Sequence, residues 1–95
     1  MSVFFMAEIE AITDDNQYSE YIEKATPVIK KYGGEYILRS QFLKPISGDW
    51  NLKRIILIQF TSKGKLQECF QSNEYKEIAH LRESSTVSKA IMIEE

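Results

Sequence analysis

The stretch Lys53-Arg54-Ile55-Ile56-Leu57-Ile58-Gln59-Phe60 is apolar at odd and even positions alike along its centre. An aliphatic run of this length, bounded by charged and polar residues, reads as a strand. Successive side chains of a strand point to opposite faces, so this one carries apolar groups on both. A sheet built around it has two faces to cover.

Working outward, Lys44-Pro45-Ile46-Ser47-Gly48-Asp49-Trp50-Asn51 reads as a loop, marked by Pro, Gly and a polar run. Before the loop, Glu35 to Phe42 reads as another strand. Val3 to Ile12 is rich in strand formers and ends at the turn and cap cluster Thr13-Asp14-Asp15-Asn16. Between those two strands, Tyr18, Tyr21, Ile22, Ala25, Val28, Ile29 and Tyr32 recur three or four apart, the stripe of an amphipathic helix. Pro27 predicts a kink or a fresh helical start within it, and Gly33-Gly34 supplies a left-handed stop. Beyond Phe60, Ser62 caps a helix carrying Leu66, Cys69 and Phe70. Ser72-Asn73 interrupts it, a second piece carries Tyr75, Ile78, Ala79 and Arg82, and Ser88 to Glu94 closes the chain as a strand. The order β-α-β-β-α-β predicts an α+β, ferredoxin-like fold: a four-stranded antiparallel sheet with helices on one face.

The 95 residues have room for one domain, residues 1–95, and a chain of this size buries only about 60–65% of its unfolded surface. Twelve basic against fourteen acidic residues give a net charge of −2, with no basic cluster longer than Lys30-Lys31. Nucleic acid binding normally shows a concentrated basic footprint, so it is not expected. Cys69 is the single cysteine, which excludes an intrachain disulfide and suits a reducing cytoplasm. Met1 to Met6 lacks the basic region and long apolar core of a signal peptide, and no apolar run nears the about 20 residues of a membrane span. A cytoplasmic protein without membrane partners is expected.

Strand parity divides the sheet into two sets. Val3, Phe5, Ala7, Ile9, Tyr36, Leu38, Ile56, Ile58, Phe60, Ile91 and Ile93 are predicted to lie beneath the helices. Phe4, Met6, Glu8, Glu10, Ile37, Arg39, Gln41, Ile55, Leu57, Gln59, Ala90 and Met92 fall on the other face. That face holds Phe4, Met6, Ile37, Ile55, Leu57 and Met92 with no element left to cover them. Burying each such side chain stabilises by about 1.5–3 kcal/mol, and an uncovered patch of this size causes association. A homodimer stacked by these sheet faces is the expected solution. Arg39, Gln59, Glu8 and Glu10 would then be partly desolvated. They either pair, as Arg39 with Glu8, or line a small-ligand cavity.

The segments Lys31-Tyr32-Gly33-Gly34-Glu35-Tyr36-Ile37-Leu38-Arg39, Gly48-Asp49-Trp50, Arg54, Phe60-Thr61-Ser62 and Ser72-Asn73-Glu74-Tyr75 through Arg82 resemble domain-of-unknown-function family thirteen-thirty, a branch of the dimeric α/β-barrel superfamily. The resemblance covers nearly the whole chain and implies a ferredoxin-like protomer with sheets stacked in a dimeric α/β barrel. Three places depart from the family's usual pattern. Ser40-Gln41 stands where two glycines are common, Ser47 where an acidic residue precedes the Gly-Asp-Trp-like turn, and Gln59 where a Glu is usual. The lost carboxylates weaken any mechanism needing an acid or base there.

Candidate chemistry is sparse. His80 is the single histidine, without further ligands for a zinc site, and reads as a surface or pocket-edge residue. On a straight helix Cys69 and His80 would lie about 16 Å apart, too far for a nucleophile pair, and Cys69 reads as a small core residue. Trp50 either caps a pocket or packs on a partner chain. Arg39, Arg54 and Arg82 suit an anionic ligand through their guanidinium forks, although Arg54 more plainly ties down Asp49 or the Trp50 loop. Tyr75 either reaches a cavity or packs in the core. No phosphate loop, dinucleotide fingerprint or serine elbow occurs, and no metal or cofactor is expected.

These observations predict a homodimer that binds a small organic ligand beside the sheet, lined by Arg39, Trp50, Gln59 and Tyr75. Relatives in the superfamily imply an alternative: a cofactor-independent monooxygenase-like enzyme acting on an aromatic or quinol substrate, oriented by Trp50, Tyr75 and His80. Haem degradation would use Asn51, Trp50 and His80, without a recognisable motif. A non-catalytic interaction module is a third reading. The sequence leaves the ligand's identity and the protonation roles of Glu8, Glu10 and His80 open.

Overall fold

In the computed structural model, which describes Ser2 to Glu95, β1 (Val3–Ile12) is followed by α1 (Asp15–Lys31), β2 (Glu35–Ser40), β3 (Arg54–Phe60), α2 (Lys63–Gln71), α3 (Asn73–Ser85) and β4 (Thr86–Glu94). The strands form one antiparallel sheet in the order β2-β3-β1-β4. Each helical crossover skips over a central strand, which gives the ferredoxin-like βαββαβ arrangement.

Local chemistry sets the helix ends. The Asp14 side chain accepts from the Gln17 backbone N–H at 3.0 Å, and Ser62 does the same for Lys65 at 3.1 Å. Ser72 serves two helices at once: its hydroxyl donates to the Cys69 carbonyl at 2.6 Å and accepts from Tyr75 N–H at 3.1 Å. That single residue divides α2 from α3. After α1, Gly33 takes φ 87°, and Gly34 N–H reaches back to the Ile29 carbonyl at 2.9 Å. A Cβ on Gly34 would sit 2.9 Å from the Phe60 ring, so this turn is pressed against the sheet. Pro27 neither kinks nor restarts α1, which runs through it unbroken. Its ring lies on the exposed side, beside exposed Glu23 and Lys24, while buried Ala25 and Ile29 hold the opposite side.

The core lies between sheet and helices: Val3, Ala7, Ile9, Ile56, Ile58 and Phe60 meet Tyr18, Tyr21, Ala25, Ile29, Leu66, Cys69, Tyr75 and Leu81. Phe5 stacks on Phe70 with centroids 4.4 Å apart. Helices α1 and α3 are tied by Lys31 and Tyr32, which reach Glu74 at 2.8 and 2.9 Å.

The parity reading holds for β1 and β3 and fails for β2 and β4. A bulge at Ile37 places Leu38 opposite Leu57 and Arg39 opposite Ile56. An inserted residue reverses every side chain beyond it. Leu38 therefore leaves the core for the open face, where it is 46% exposed, and Arg39 passes to the helix side. In β4 the register pairs Ile91 with Met6 and Ile93 with Phe4, so both isoleucines lie on the open face, while Ala90 and Met92 fall on the helix side. The run Ala90-Ile91-Met92-Ile93 is apolar in both parities, so its pattern cannot choose a face. Only the pairing with β1 does. The open face thus carries Phe4, Met6, Ile37, Leu38, Ile55, Leu57, Ile91 and Ile93, more apolar surface than parity alone assigned.

Candidate small-molecule site

The β2–β3 connection, residues 41–53, runs out from the sheet, with Phe42 and Ile46 88% and 99% exposed. It leaves the centre of the open face bare. Gly48, at φ 85°, turns the chain so that the Trp50 indole folds back and its Nε1–H donates to the Ser47 carbonyl at 2.7 Å. The pinned ring then forms one wall of a cavity of about 410 Å³ lined by Leu43, Lys44, Pro45, Ile46, Ser47, Trp50, Leu52 and Ile55. Its volume is that of a small-ligand pocket, mostly apolar with Lys44 as the one cation in its lining. Ile55 belongs to the open sheet face, so the cavity is continuous with it.

On the other side of the sheet, phenols and guanidinium groups gather. Tyr21 and Tyr75 share a buried hydroxyl–hydroxyl bond of 2.8 Å. Burial, reinforced by each other's proximity in the case of Tyr21, pushes both phenols above their ordinary range. The Arg39 guanidinium carbon lies 4.4 Å over the Tyr36 ring, and that of Arg54 lies 5.7 Å from the Tyr18 ring. Burial raises the Tyr18 phenol too, against the opposing charges of Arg54, Arg39 and Arg82. Cys69 is fully buried and its thiol is pushed up to about 11 by desolvation, so it is a packing residue rather than a nucleophile.

The four residues singled out from sequence occupy three places. Trp50 lies in the loop cavity. Gln59, on the open face, pairs with Phe4 and Glu35 at the far end of β3, where its amide donates to the Ser2 hydroxyl at 2.6 Å. Tyr75 is inside the core, and Arg39 is on the helix side at the sheet edge; both act electrostatically on Tyr36. Arg39 and Tyr75 share the helix side of the sheet, away from Trp50 and Gln59, and nothing bonds the two to each other among the described residues. Glu8 has Lys89 as its partner at 3.8 Å rather than Arg39, because the bulge carries Arg39 away. Arg54 faces Tyr18 rather than Asp49 or the Trp50 loop. His80 is solvent-exposed on α3, and Glu10 is exposed at a second bulge between Ile9 and Ala11.

Sequence reasoning missed Leu43, Ile46 and Leu52 as cavity walls, since a Pro- and Gly-marked loop reads as polar. The signal was the apolar residues spaced through it. Among the described residues no group of three or more His, Cys, Asp or Glu is placed to hold a metal, and no helix is long and apolar enough to cross a membrane.

Residues 2–95 match the family described as Domain of unknown function (DUF1330). The chain belongs to this family. No curated protein matches the chain. Among solved structures, this DUF1330 protein is similar to a protein of unknown function from Rhodopseudomonas palustris, at 16% identity and TM-score 0.79 over 97% of this chain and 80% of that one. It is similar to a dimeric ferredoxin-like protein of unknown function from Jannaschia sp. CCS1, at 10% identity and TM-score 0.69 over the full length of both. A variant of a cofactor-independent oxygenase from Streptomyces nogalater shares 7% identity at TM-score 0.73, over 99% and 92% of the two chains. These likenesses establish the ferredoxin-like fold.

Proposed function

We propose that this DUF1330 protein is a cytoplasmic homodimer, joined through the open sheet faces, that holds a small apolar or aromatic molecule in the cavity walled by Trp50. The observation that carries the reading is the continuity between that cavity and an apolar face that the protomer leaves uncovered. A second copy laid on the face removes Leu38, Leu57 and Ile91 from water and closes the cavity's open side. The dimeric relative from Jannaschia, with the same fold, supports the association. The lone thiol of Cys69 supports the compartment. Lys44 is placed to orient a polar substituent, while Leu43, Pro45, Leu52 and Ile55 accept the apolar body.

An oxygenase reading that uses Trp50, Tyr75 and His80 around one substrate finds less support. Tyr75 is in the core, His80 is in solvent, and Trp50 lies across the sheet from both. Oxygen uptake with a panel of electron-rich phenols tests it directly.

Trp50 is the single tryptophan, so its emission reports on the cavity alone. Titration with 1-naphthol is expected to quench it saturably in the wild type. A Leu57→Glu protomer, shown to be folded by circular dichroism, is expected to lose that response. An emission unchanged by the probe in the wild type would refute the site.

A further inference from the structure

We infer that the helix side of the sheet carries a separate recognition site for an organic carboxylate, built from Tyr18, Arg54 and Arg82 with Arg39 at its rim. Tyr18 sits in the first turns of α1 and is only 5% exposed, yet its hydroxyl has no hydrogen-bond partner among the described residues. The same holds for the buried Nε atoms of Arg54 and Arg82. A buried donor left unpaired costs free energy, and three in one neighbourhood mark a place where an acceptor is missing.

The cluster comes from four elements that meet at one end of the sheet. Arg54 opens β3 opposite Ile9, and its guanidinium carbon is 5.7 Å from the Tyr18 ring centre. Arg82 lies in the last turn of α3, Tyr18 near the start of α1, and Arg39 near the end of β2. All three arginines act on the Tyr18 phenol, and Arg82 acts on Tyr21 and Tyr75 as well. The ion pairs among the described residues use lysines throughout, and none of these guanidinium groups is paired with a carboxylate there. Three cations without an ion-pair partner among the described residues, in a chain of net charge −2, form a local positive field.

The donor set selects the anion. A phenol and two guanidinium Nε–H groups supply donors for the two oxygens of one carboxylate, in the planar geometry that guanidinium favours. A phosphate dianion would need more donors, and the surrounding rings of Tyr18, Tyr21 and Tyr36 make its desolvation costlier. The same rings suit an acid with an aromatic or short apolar body. This site faces away from the Trp50 cavity and does not depend on dimerisation.

The test is calorimetric titration and thermal unfolding with sodium benzoate, against sodium chloride at matched ionic strength and against inorganic phosphate. Benzoate is expected to bind saturably and raise the unfolding temperature, with chloride and phosphate giving neither effect. Tyr18→Phe, which removes an unpartnered hydroxyl, is expected to fold with unchanged or higher thermal stability and to bind benzoate about tenfold or more weakly. Arg82→Gln is expected to weaken binding at least as much, and Lys76→Gln, at an exposed position of α3, to leave it unchanged. Absence of a benzoate effect beyond chloride, full affinity in Tyr18→Phe, or phosphate binding in place of benzoate would each overturn the inference.

Discussion

The hydroxyls of Tyr21 on α1 and Tyr75 on α3 lie 2.8 Å apart in the core, each the other's hydrogen-bond partner. One hydroxyl donates and the other accepts, so the bond needs at least one of the two phenols to keep its proton. It fastens the two helices together above the sheet, with the rings in edge-to-face contact at 6.3 Å.

Removing one hydroxyl strands the other in an apolar setting. Tyr21→Phe and Tyr75→Phe are each expected to cost about 1–3 kcal/mol. The double replacement is expected to cost less than the sum, since no unpaired group remains. Urea unfolding of the four variants measures this coupling.

The same pair makes the fold sensitive to alkali. Both phenols are raised above the ordinary phenol value of about 10, chiefly by burial. Between pH 10 and the folded-state values the native chain therefore retains protons that the unfolded chain releases. Stability is full below about pH 10 and falls as pH rises beyond it. Denaturant midpoints measured from pH 8 to 11.5 are expected to drop above pH 10, less steeply in the double Phe variant.

At the end of α1, Gly34→Ala places a Cβ 2.9 Å from Phe60 Cζ and against Ile29. Both neighbours are buried and have nowhere to move. A loss of about 1–3 kcal/mol is expected from overpacking, read as a lower urea midpoint with unchanged slope.

Ser72 is the joint between α2 and α3. Ser72→Ala is expected to cost about 0.5–2 kcal/mol through the lost cap. Amide exchange is expected to quicken first at Tyr75 and its neighbours at the start of α3.

The element order was readable because its signals are local: the Ser62 and Ser72 caps, the Gly33-Gly34 stop, and the apolar periods of α1 and β3. What escaped is set by partners distant in sequence. Nothing in Glu35 to Ser40 announces that Ile37 is the extra residue opposite Leu57, and that one bulge exchanges the faces of Leu38 and Arg39. In β4 the apolar run reads equally well either way up, and the choice is made by Met6 and Phe4. The candidate site was legible in part. Trp50 was visible as a loop aromatic, whereas the walls around it depend on how residues 41–53 fold back, and the unpartnered donors of Tyr18, Arg54 and Arg82 exist only once four elements have met.

Phe4, Met6, Leu38, Leu57, Ile91 and Ile93 face outward from a sheet whose other side is already filled by helices. In the proposed dimer a second copy of the chain covers that face. Sedimentation equilibrium at micromolar concentration tests this directly for the wild type and for Leu57→Glu. Twice the chain mass for the wild type and a folded single-chain mass for the variant are expected. A wild type that sediments as a stable single chain would contradict the account.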